Sequence, residues 1–134
     1  MTQAARPVDY TRFKLADNEF SRLSLSDLVA ARDLYHVFLM RHPNLVATAI
    51  GRYRIRTEDS WPNDKRHHHG TGVRRFDNSE VRPYSWPCIL AFVDKWQNRK
   101  DFTDRPSEIV PPTLFLPDGR SVPVCVTDQQ YWRR

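Results

Sequence analysis

Residues 65–75, KRHHHGTGVRR, gather three histidines, two glycines and flanking cations in one short run. Such residues serve two chemistries: imidazoles bind zinc, and glycine-rich turns beside cations cradle phosphate. The spacing favours neither. Successive side chains of an extended segment point apart, so His67 and His69 share a side, and a third ligand from Asp64, Asp77 or His42 has to be recruited by folding. Gly70-Thr71-Gly72 has neither the GxxxxGK[ST] nor the GxGxxG spacing, and no helical pattern follows it. The expectation is a solvated loop that holds no metal and no cofactor.

Charge is the stronger signal. Between residues 52 and 75, Arg52, Arg54, Arg56, Lys65, Arg66, Arg74 and Arg75 face three acids, a local excess of +4 in a chain whose net charge is +5. A basic balance favours anionic partners without naming one. Arginines on alternate strand residues stand about 6.6 Å apart, within reach of neighbouring phosphates. Trp61, Phe76, Tyr84 and Trp86 are the aromatics on which unpaired bases would stack. Against this, edge strands are commonly blunted with charge, and no established nucleic-acid motif is present. A second aromatic group, Trp86, Trp96, Tyr131 and Trp132, suits protein contact, because tryptophan, tyrosine and arginine dominate interface hot spots.

Catalytic groupings are weak. Ser26 reads as a helix cap, Asp33 and His36 as a surface pair, and Cys88 and Cys125 as small buried thiols without an activating base. The chain is therefore expected not to be an enzyme by itself.

The elements that must position these residues follow from periodicity. SLSDLVAARDLYHVFLMRHP predicts one helix capped by Ser26, with Leu28, Ala31, Tyr35 and Phe38 at helical spacing and Pro43 as its stop. NLVATAIGRYRIR predicts one strand, buried on both faces in its first half and projecting an arginine ladder to solvent in its second. Residues 57–84 read as a long loop with a short strand or turn near 73–76, SWPCILAFVDKW as a central strand, and TLFL and SVPVCV as a hairpin turning at Pro117, Asp118 and Gly119. Pro123 lacks a ladder donor, which predicts an edge or a bulge. The division is an arm over 1–22, in which Phe13, Leu15 and Phe20 can dock, a domain over 23–128, and a tail over 129–134. The fold class expected is α+β, one helix on a largely antiparallel sheet of about four strands with a long basic loop.

RHPNLVATAIGRY, CILAFVDKW and IVPPTLFLPDGRSVPVCVTD resemble, across residues 26–128, the small N-terminal α/β module of some bacterial proteases of the chymotrypsin fold. In that family the catalytic His, Asp and Ser follow the module. No GDSG-like or AAHC-like stretch carries them onto this sequence, the last strand reads VCV where an acidic residue is usual, and the 57–84 loop is long. The resemblance implies a noncatalytic module, either a fragment or stand-alone, that binds or positions a protein partner. Without an apolar leader or a membrane-length run, a cytoplasmic setting is expected and no membrane partner.

Overall fold

The computed structural model describes residues 19–98, 101 and 108–129. Tyr131 and Trp132, most of the predicted arm with Phe13 and Leu15, and all of the tail beyond Gln129 lie outside the described residues.

A short 3-10 turn, Glu19–Arg22, leads into helix α1, Leu25–Met40. The helix starts two residues earlier than a cap at Ser26 would allow. Ser24 is the cap: its hydroxyl accepts the Asp27 N–H at 3.1 Å, and the Asp27 carboxylate accepts the Ser24 N–H at 2.9 Å. This reciprocal pair satisfies two donors that a helix start otherwise leaves orphaned. Arg120, from a distant turn, then grips both oxygens of Asp27 at 2.9 and 3.0 Å. The helix ends before Pro43, and the His42 ring lies between the carbonyls of Leu39 and Ile109 at 3.1 and 3.2 Å.

Leu28, Ala31 and Leu39 form the buried stripe of α1, and Tyr35 packs beside it. Phe38, expected on that stripe, is instead 50% exposed. At 100° per residue it falls just beyond Ala31, at the margin of the buried arc that runs through Ala31, Tyr35, Leu28 and Leu39.

The sheet orders its strands β1, β4, β6, β5, where β1 is Leu45–Arg52, β4 is Pro87–Val93, β5 is Thr113–Phe115 and β6 is Ser121–Asp128. Two of its pairings are antiparallel, and the central one, β4 with β6, is parallel. The α+β architecture and the central place of β4 agree with the sequence. β5 and β6 form the predicted hairpin, closed by Gly119 at φ +91°, a conformation that favours glycine.

Three expectations fail, each for a reason of packing. β1 is an edge strand with Val46 and Ala47 exposed, so its first half is not buried on both faces. The chain leaves the sheet after Arg52 and resumes pairing only at β2, Ile55–Arg56, with β3, Ser79–Glu80, so no continuous arginine ladder forms. Finally, β6 is interior. Pro123 is tolerated because it lies at a handover: it is the last partner of β5, and the pairing with β4 begins at Val124.

Alternation sorts the sheet into two faces. Ile89, Ala91, Val93, Val122 and Val124 join α1 in the main core, and full burial of one such side chain is worth about 2 kcal/mol. Cys88, Phe92, Cys125 and Thr127 occupy the opposite face and are also buried. What covers them is the segment 53–86.

Candidate interaction surface

A segment of this length without an apolar period cannot cover a sheet face with aliphatic side chains, and it uses arginine on aromatic instead. The Arg54 guanidinium lies 4.4 Å from the centre of Phe76, and Phe76 stacks on Phe92 of β4 at 5.8 Å. Arg74 lies 5.1 Å from Tyr53, which stacks on Trp86 at 4.8 Å. Arg82 lies 4.5 Å from Trp61, whose ring meets Tyr84 edge-on. Arg56 approaches Trp96 at 5.8 Å. Guanidinium planes stack well on aromatic faces because they are flat, delocalised and weakly hydrated.

The same guanidiniums bond the main chain. Arg52 donates to the carbonyls of Ser85 and Pro83 at 2.9 and 2.8 Å. Arg54 donates to the hydroxyl and carbonyl of Ser79 and to the Phe76 carbonyl. Arg56 reaches the Gly72 carbonyl at 2.6 Å, and Arg74 the Val126 carbonyl at 3.0 Å. Carbonyls of irregular backbone have no ladder N–H to donate to them, and a forked donor can serve several at once.

Arg82 carries this furthest. Its side chain is 1% exposed. It donates to the carbonyls of Arg56, Thr57 and Asp59, to the Tyr84 hydroxyl, and to the Glu80 carboxylate at 2.8 Å. Burial works against its charge, but the bonds to Tyr84 and Glu80 outweigh that and raise its pKa. Burial lowers Arg54 and Arg56 from their ordinary value and raises the Tyr53 phenol.

Of the residues singled out by charge, Arg52, Arg54, Arg56 and Arg74 thus turn toward carbonyls of their own chain, and Arg75 pairs with Asp77 at 2.8 Å. Lys65 and Arg66 remain exposed with His67, His68 and His69. They sit on an excursion closed through Ser60: its N–H donates to the His68 carbonyl at 2.8 Å, and its hydroxyl accepts the His68 N–H at 2.7 Å. A cleft of about 620 Å³ opens beside it, with Glu58, Asp59, Asp64, Arg66 and His68 among its walls. Its carboxylates are partly committed, Asp59 accepting the Gly70 N–H and Asp64 the Arg66 N–H. Among the described residues no group of three His, Cys, Asp or Glu is placed to hold a metal ion.

Of the aromatics, Trp61 and Trp86 are half-buried in the arginine layer rather than displayed. Arg82, its most buried member, escaped the sequence reading. Nothing local marks it, because its partners come from residues 56–61 as well as from Glu80 and Tyr84.

Asp33 bonds Arg32 on the exposed side of α1. Cys88 and Cys125 are free and fully buried, and burial pushes the Cys88 thiol far up.

No protein-family model matches the chain. It is 50% identical over 116 residues, 80% of its length, to a probable serine protease of Bradyrhizobium tropiciagri, and spans 15% of that protein. The chain is thus similar to one segment of a protease-related protein.

Proposed function

We propose that this domain is a noncatalytic module of a serine-protease system, one that binds or positions a protein partner. The observation that carries the reading is the similarity to a 15% segment of a probable serine protease. The two thiols weighed as nucleophiles, Cys88 and Cys125, are buried, which accords with this reading. Exposed Leu34, Val37, Phe38 and Phe115 offer apolar contact area, and Tyr131 and Trp132 remain contact candidates on their residue types alone.

The test is activity-based labelling. The tagged chain, recovered from cells treated with a fluorophosphonate, should carry no label itself and should co-purify with a labelled serine hydrolase. Label on the chain, or recovery with no labelled hydrolase, counts against the reading.

Binding of single-stranded RNA or DNA is the second reading. Its support is the exposed pair Lys65 and Arg66, since Arg52, Arg54, Arg56, Arg74 and Arg75 are bonded within the chain. Replacing both with serine should flatten the salt dependence of oligonucleotide binding. No binding at low salt removes this reading.

A further inference from the structure

The two edges of the sheet are finished differently. At β5, three residues long, the Tyr35 hydroxyl donates to the Phe115 carbonyl at 2.9 Å and accepts the Phe115 N–H at 3.4 Å, closing the outward side. β1 has no such closure. Its main chain bonds β4 on one side, and no described residue takes up its outward N–H and C=O groups between Val46 and Arg52.

Alternate residues of a strand aim their main-chain groups away from the paired neighbour, so an open edge is a template for another strand. Proteins usually close such edges by shortness, proline or charge. β1 is eight residues long, and residues 45–51 contain no proline and no charge. The irregularity in its register lies between Leu45 and Ala47, which leaves residues 47–52 regularly paired with β4.

We propose that β1 pairs antiparallel with β1 of a second copy of this chain, joining two sheets across a two-fold axis. The strand is self-complementary for this. Directly opposed residues of an antiparallel pair share a face, and a two-fold centred on Ala49 sets Thr48 against Ile50 and Ala47 against Gly51. Thr48 and Ile50 make a β-branched pair, the small residues allow close approach, and no like charges meet. The two Arg52 side chains stand at opposite ends of the junction, each bonded to Ser85 and Pro83 of its own chain. With the axis normal to the sheet, both copies of α1 lie on the same side of the joined sheet. The dimer does not depend on the protease reading.

The mass in solution tests it. Sedimentation equilibrium of the full chain over a concentration series should resolve a species of twice 15.9 kDa. Ala47→Lys, at an exposed position, should return it to monomer with an unchanged circular dichroism spectrum. Hydrogen exchange of the native dimer should protect alternate amides between Val46 and Arg52, and dilution should remove that protection. A chain that is monomeric throughout overturns the proposal. So does a dimer whose β1 amides exchange as fast as the monomer's, whatever Ala47→Lys does.

Discussion

The guanidinium of Arg82 lies 4.5 Å from the ring centre of Trp61 while bonding four main-chain carbonyls, of Arg56, Thr57, Asp59 and Ser60, in the segment that leads into that tryptophan. One buried cation therefore organises both the path of residues 56–61 and the aromatic that covers them. Removing it leaves acceptors and the Glu80 carboxylate without their partner. Arg82→Met should destabilise the domain by about 3 kcal/mol, in the range for breaking a buried charge network, and Arg82→Lys should recover less than half of that, because an ammonium cannot reproduce the fork. Urea unfolding of the two variants checks this; a loss within that of an ordinary surface change, about 0.5 kcal/mol, would refute the structural role given to Arg82.

The helix start is tied to the hairpin turn through Asp27 and Arg120. The bond from Arg120, then those of the capping box, pull the Asp27 carboxyl from 3.8 down to about 2. A depressed folded-state value means that this tie contributes fully above pH 3.8 and is lost as the pH falls through about 2. Arg120→Ala should therefore move the Asp27 titration upward toward its ordinary value, read by carboxyl NMR, and weaken the acid tolerance of the first turn of α1. An unchanged Asp27 titration in the variant would show that Arg120 is not its main partner.

Cys88 and Cys125 lie on one face of neighbouring strands, beneath segment 53–86, and both are fully buried. Reaction needs exposure of a thiolate, and burial keeps the Cys88 thiol protonated. Neither thiol should react with iodoacetamide at neutral pH in the native protein, and both should react in urea. Rapid native alkylation would mean that the cover over this face opens readily.

Much of the fold is written locally. The apolar run of β4 and the Pro-Asp-Gly turn are legible because each depends on neighbours in sequence. The helix was legible in place and length, but its cap was not: Ser24 and Ser26 both fit the residue type, and only the reach to Asp27 and the grip of Arg120 across 93 residues select Ser24. The arginines show the limit most plainly. Alternation predicts that Arg52, Arg54 and Arg56 point one way, which holds only while the strand stays straight, and the chain leaves the sheet after Arg52.

The sequence alone thus determined the class of fold, the order of its elements and an excess of positive charge, since these follow from periodicity, turn chemistry and composition. What the charge is for was decided by the tertiary structure. A long segment with few aliphatic residues folds over the second face of the sheet, its carbonyls need donors, and the arginines that look outward in sequence supply them. β1 shows the converse: a run that reads as buried stands at an edge, because no described strand lies beyond it.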